Sequence, residues 1–241
     1  MMNAHSTLKS IIFDFDGVLA DTEPLHFRAF QSVLSEEGIH LSEEDYARNY
    51  VGLADADCFR AVSYRQQHIL TALDVTQLIQ RKHAWMLQAV ESHHVVGAGV
   101  VDFVKSLAGR YRLAVASCAL RREIERVLHI AGLIDAFEMI AAAEDVQVGK
   151  PDPSIYLYAL HQLNKKEPLL AADCLAIEDT PVGIRAAQQA GMKCVAVATT
   201  FRGDRLRTAD AVVPSLVQCH VSELAVQLWG TSPSGNIGTQ G

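Results

Sequence analysis

Apolar residues along this chain gather into short unbroken runs, with longer stretches of helical spacing between them. Ser10-Ile11-Ile12-Phe13-Asp14-Phe15 is apolar until it meets acid and then glycine. A run of this kind reads as a strand buried on both faces. Similar runs recur at 112–116, around 139–141, at 174–177 and at 193–197, and 211–213 is a sixth. Helical patterns occupy 99–108, 121–131, 153–163 and 181–190. Strands alternating with helices of this length predict an α/β fold with βαβ units and a parallel sheet covered on both faces.

The alternation breaks once. Between Glu23 and Val96 the spacing is helical, without a convincing strand. Leu25, Phe30, Val33 and Leu34 share one helix face, Gly38 ends that helix and Ser42 caps the next. A third amphipathic stretch covers 74–89. The pattern predicts a helical module of about 70 residues inserted after the first strand, with Gly97-Ala98-Gly99 marking the return. The expected organisation is a core from 1–22 and 97–230, a helical cap over 23–96, and a tail over 231–241. The tail is rich in Gly, Ser and Thr, a composition that predicts disorder.

Composition narrows the partners. The 241 residues are 49% hydrophobic, enough to bury a proper core. A net charge of -7 without a basic tract argues against nucleic acid and anionic membranes. An anionic small substrate stays open, because a few local cations and a metal can outweigh a mean charge. Cys58, Cys118, Cys174, Cys194 and Cys219 are scattered without a CxxC pair. They read as reduced thiols of a cytoplasmic protein rather than a disulfide framework or a zinc site. No stretch approaches the roughly 18–20 apolar residues of a membrane span, and residues 1–10 lack the apolar segment of a secretory signal. The expectation is a monomer.

Ligands of an open α/β sheet bind at the carboxyl ends of its strands. Four reactive segments follow runs that read as strands: Asp14-Phe15-Asp16-Gly17, Ser117, Lys150 in Gly149-Lys150-Pro151, and Glu178-Asp179-Thr180-Pro181. Each has a plain reading by itself. An Asp-x-Asp can be a loop, and Ser117 taken alone reads as an N-cap for the helix at Arg121. Lys150 can be a solvated turn, and Thr180-Pro181 is a cap followed by an N1 proline. Four such segments in this order are hard to credit to capping. Clustered carboxylates repel unless a hard cation joins them, and oxygen-only ligands suit Mg²⁺. Asp14 and Asp179 are the natural side-chain ligands, with Glu178 beside them, and Asp16 offers its carbonyl. Asp14 can then attack phosphorus to form an aspartyl-phosphate. Asp16 can act as acid and base, while Ser117 and Lys150 hold the phosphoryl oxygens.

The order and types of these residues resemble the haloacid dehalogenase superfamily. Asp14-Phe15-Asp16-Gly17-Val18, Ser117, Lys150 and Glu178-Asp179 match its four motifs in turn. The resemblance implies a Rossmann-like core, an inserted helical cap and a Mg²⁺-dependent phosphoaspartyl mechanism. The name-giving dehalogenases lack the second aspartate, so Asp16 argues against dehalogenation. Asp21-Thr22-Glu23-Pro24-Leu25-His26 resembles the subgroup of beta-phosphoglucomutase and small sugar-phosphate phosphatases. In that comparison Thr22, His26 and Lys82 are substrate or cap residues, and His26 and Lys82 serve the acid/base aspartate. Lys82 lies near the middle of the apolar face Leu78, Ile79, Trp85, Met86 and Ala89, where it must snorkel or meet an anion.

Mutases of the subgroup carry a cap arginine for the non-reacting phosphate. Asp55 stands at that position here, and Arg60, Arg65 or Arg81 could replace it. The resulting expectation is a phosphatase for a small phosphorylated metabolite, such as a sugar phosphate. Beta-phosphoglucomutase activity is the alternative. A non-enzymatic phospho-acceptor is more remote, since such a domain has no use for Asp16 or a cap.

Overall fold

The computed structural model describes residues 7–230, so the expectation for 231–241 lies outside the described residues. Six strands form one parallel sheet: β1 (Ser10–Phe13), β2 (Arg112–Ala116), β3 (Met139–Ala141), β4 (Cys174–Glu178), β5 (Lys193–Val197) and β6 (Ala211–Val213). Their order is β3-β2-β1-β4-β5-β6. The chain moves outward from β1 in one direction through β2 and β3, then in the other through β4, β5 and β6. The switch point lies between β1 and β4, whose register pairs Phe13 with Ile177.

Alternation within each strand fills both faces. Ile11, Phe13, Val115, Ile177 and Val197 enter one core. This core also holds residues of α5 (Ala98–Leu107), α6 (Arg121–Ile130) and α9 (Val221–Trp229). Ile12, Ala114, Ala176 and Ala196 enter the other, beneath α7 (Ser154–Asn164) and α8 (Pro181–Gln189). Small residues dominate the second face, which lets α7 and α8 approach closely.

Between β1 and α5 lie α1 (Glu23–Glu36), α2 (Glu43–Asn49), α3 (Asp55–Arg65) and α4 (Ala72–Ser92). Phe30, Leu34, Tyr46, Phe59, Val62 and Leu78 give these helices a core of their own. Leu25, Ala29, Met86 and Val90 instead join the core on the sheet, so α1 and α4 are rooted in it. Two polar struts tie α4 to α6: His83 to Glu123 at 2.8 Å and Arg126 to Glu91.

One local reading is corrected. The periodicity over 23–96 picked out three helical stretches, but four helices form. In α3 only Cys58, Phe59, Val62 and Ser63 are buried, and no side chain caps its start. Its apolar stripe is too narrow to stand out. Ser117 does not cap α6, which agrees with setting the capping reading aside. Leu120 holds the N-cap position, and the Glu144 carboxylate accepts from the Arg121 N–H at 3.1 Å. No helix among the described residues is long and apolar enough to cross a membrane.

Phe59 is fully buried and stacks edge-on against Phe30 at 4.9 Å. Phe59→Ala is expected to cost about 3–5 kcal/mol of stability, measured by urea unfolding.

Candidate active site

Asp14 is the first residue after β1, and its N–H still donates to Ile177 O at 2.9 Å, which extends the ladder by one rung. Glu178 closes β4 and Asp179 follows it, so these acids straddle the switch point where ligands of such sheets bind. The chain turns away at Gly17, which has φ +74. A Cβ there would lie 1.9 Å from Asp179 Oδ2, so glycine is required for conformation and for room. Gly183, in helix α8, is required for room alone, because the Glu178 carboxylate lies 2.0 Å from where its Cβ would be.

Asp14, Glu178 and Asp179 are all buried, with carboxylate oxygens within 4.8 Å of one another. Lys150 enters from the loop before α7 and bridges two of them, at 2.8 Å to Asp14 and 2.6 Å to Glu178. The rest of Glu178 is satisfied locally. Tyr156 OH donates to it at 2.7 Å, Thr180 Oγ1 at 3.3 Å and the Asp179 N–H at 3.2 Å. Thr180 also caps α8 by accepting from the Gly183 N–H at 3.1 Å. Burial, then the Glu178 charge, raise the Asp14 carboxyl to about 7 against the pull of Lys150. Burial and the charges of Asp14 and Glu178 push Asp179 well above the usual carboxylate range. Burial opposes the charge on Lys150, but Asp14 and Glu178 outweigh it and hold the ammonium protonated.

A second polar chain surrounds Asp16. Thr22 donates to its Oδ1, and His26 Nε2 lies 3.0 Å from the same oxygen. Ser117 Oγ is 3.5 Å from Oδ2 while accepting from the Ala119 N–H at 3.0 Å. Lys82 Nζ, fully buried, reaches His26 Nδ1 at 2.8 Å and Asp55 Oδ1 at 2.6 Å. An ammonium only donates, so Nδ1 accepts and Nε2 carries the proton that points at Asp16. Burial opposes ionisation of Asp16, yet His26, Thr22 and Lys82 overcome it and hold the carboxyl below its ordinary value. Lys82 meets an anion rather than snorkelling. Burial disfavours its charge, and Asp55 and Glu123 more than compensate.

The two chains meet in a half-open cavity of about 60 Å³ beneath the cap. Asp14, Asp16, Asp179, Ser117 and Lys150 line its floor, and Glu23, His26, Tyr46 and Asp55 come from the cap. Arg60, Arg65 and Arg81 do not reach it. Arg60 pairs with Asp57, Arg65 with Asp45 and Tyr50, and Arg81 with Glu36 and Glu37. Tyr156, Asp55 as the partner of Lys82, and the Tyr46–Glu23 hydrogen bond of 2.6 Å escaped the sequence reading. Each depends on a contact across elements that spacing does not encode.

The donor set suits a hard divalent cation. Three oxygen ligands converge without nitrogen or sulfur. Asp179 Oδ1 is buried and has no hydrogen-bond partner among the described residues. Such an orphaned oxygen is costly unless something fills its place.

A six-stranded parallel sheet with an acidic cradle at its carboxyl edge, under a helical cap, defines a capped α/β enzyme. The chain belongs to the haloacid dehalogenase-like hydrolases, whose family model matches residues 11–197. A phosphorylated carbohydrates phosphatase of Thermotoga maritima is 30% identical, over 77% of this chain and 83% of its own. CbbY of Rhodobacter sphaeroides, solved in complex with xylulose-(1,5)bisphosphate, is 25% identical at a TM-score of 0.78. That match covers 88% of this chain and 96% of CbbY. Beta-phosphoglucomutase from Clostridium difficile shares the fold at a TM-score of 0.82 and 21% identity, over 92% of this chain and 97% of its own.

Lys150→Met would leave Asp14 and Glu178 buried without their cation. In metal-free buffer the substitution is expected to cost about 3–5 kcal/mol, read by chemical denaturation.

Proposed function

We propose that the protein is a Mg²⁺-dependent phosphatase for a small phosphorylated metabolite of the sugar-phosphate kind, with Asp14 as nucleophile. The observation that carries this reading is the placement of Asp14. It lies against the Lys150 ammonium at 2.8 Å and beside the unpartnered oxygen of Asp179. The relative from Thermotoga maritima, named for phosphorylated carbohydrates, supports the substrate class.

Asp14, Asp179, Glu178 and the carbonyl of Asp16 would hold the cation, and Glu178 also fixes Lys150. Bound Mg²⁺ supplies charge that offsets the repulsion between the Asp14 carboxylate and an anionic phosphate. Asp14 forms the new bond to phosphorus as the ester oxygen leaves with a proton from Asp16. Water then attacks the aspartyl-phosphate, Asp16 takes a proton from it, and phosphate departs with Asp14 restored. Ser117 and Lys150 hold the phosphoryl oxygens through both steps. Thr22 and His26 sit against the Asp16 carboxyl and hold it below its ordinary value, which favours the carboxylate that the second step needs. His26 and Lys82 orient and charge that carboxylate from the cap, so cap closure completes the site and excludes bulk water.

Phosphate release from a sugar-phosphate panel is expected to need Mg²⁺ and to stop with chelator. Asp14→Asn is expected to lower kcat by at least about 10⁴-fold. Asp16→Asn is expected to lower it by roughly 10²–10⁴-fold. Mg²⁺ is expected to raise the Tm of the wild type by mass action, and Asp179→Asn to abolish that rise. Full activity in Asp14→Asn would overturn the nucleophile. Glucose 6-phosphate formed from β-glucose 1-phosphate under bisphosphate priming, with little free phosphate, would replace the hydrolase with a mutase.

A further inference from the structure

Charge in the cavity is distributed unevenly. Its lining contains five carboxylates, Asp14, Asp16, Glu23, Asp55 and Asp179, and among the described residues it has no arginine and a single lysine. That lysine, Lys150, is already shared between Asp14 and Glu178. Lys82, behind the wall, is held between Asp55 and His26. Arg60, Arg65 and Arg81 are paired with acids elsewhere, and Arg28 lines the neighbouring cavity beyond Glu23 and Tyr46 rather than this one.

From this arrangement we propose that Asp55 is a specificity-determining residue, restricting the site to esters with one phosphate and an uncharged, hydroxyl-bearing remainder. The inference rests on the phosphatase reading above and deepens it. Asp55 gives Oδ1 to Lys82, and its side chain keeps 20% of its surface accessible at the cavity wall. Carboxyl oxygens accept hydrogen bonds, so Asp55 and Glu23 suit hydroxyl donors on the leaving group. A second phosphate or a carboxylate at that place would meet anions with no unpaired lysine or arginine in the described lining, and like charges brought together across a binding site are disfavoured. The charge on the reacting phosphate is met differently, by Lys150 and the cation that Asp14 and Asp179 would bind.

The test uses matched esters with Mg²⁺: fructose 6-phosphate against fructose 1,6-bisphosphate, and glycerol 3-phosphate against 3-phosphoglycerate. In each pair kcat/KM is expected to be about 100-fold lower for the ester with the extra anion. Asp55→Asn keeps the shape and removes the charge. It is expected to narrow that ratio by about tenfold or more, whatever it does to overall activity. If Asp55 only anchors Lys82, the substitution lowers both members equally and the ratio stays fixed, which overturns the proposal. Equal turnover of both members by the wild type also overturns it, while leaving the phosphatase reading intact. No phosphate release from any ester overturns the phosphatase reading, and the assignment of Asp55 falls with it.

Discussion

Asp14, Glu178 and Asp179 are buried with oxygens within 4.8 Å of one another, and their mutual repulsion sets the terms for the surrounding structure. Two unit charges 4 Å apart at an effective dielectric of 20 repel by about 4 kcal/mol. Lys150 brings one positive charge to three acids, and Glu178 absorbs part of it along with the Tyr156 hydroxyl. The remaining imbalance is visible in the raised Asp14 and Asp179 and in the unpartnered oxygen of Asp179. An arrangement this costly for stability persists where a bound cation and an anionic substrate relieve it.

The sheet makes the cluster unavoidable. Asp14 and Asp179 follow adjacent parallel strands at the switch point, so their backbones are fixed by the β1–β4 register. Gly17 and Gly183 clear the space into which the carboxylates fold. The cap contributes opposite chemistry. It carries the buried Lys82 into contact with His26 and Asp55, and through His26 it holds the Asp16 carboxyl below its ordinary value. One half of the molecule thus raises its carboxyls and the other lowers one. The raised affinity of Asp14 is the reverse of what a nucleophile needs, and a cation held against it would restore the carboxylate.

Much of this was legible in the sequence. Strands buried on both faces are continuous apolar runs, and the acids at their ends stand out against them. Gly38 and Ser42 marked helix boundaries by local rules, and Ser42 caps α2 by accepting from the Asp45 N–H. What escaped is non-local. Helix α3 buries a narrow stripe that includes a serine, so its periodicity is faint. The N–H at the start of α6 is satisfied by Glu144, 23 positions away, which displaced Ser117 from the role its spacing suggested. The pairing of Asp55 with Lys82 spans 27 positions and two helices. The resemblance to the mutases set Asp55 where they carry an arginine, and contact with Lys82 gives it a partner.

The central claim is that phosphoryl groups pass through Asp14. The most direct measurement is a rapid acid quench of the Mg²⁺-loaded protein during turnover of a ³²P-labelled ester, followed by mapping of the labelled residue. The label is expected on Asp14, acid-stable and released by hydroxylamine, and it should accumulate further in Asp16→Asn if the second step is slowed. Turnover without a labelled protein at any quench time, or a label on another residue, would contradict the account.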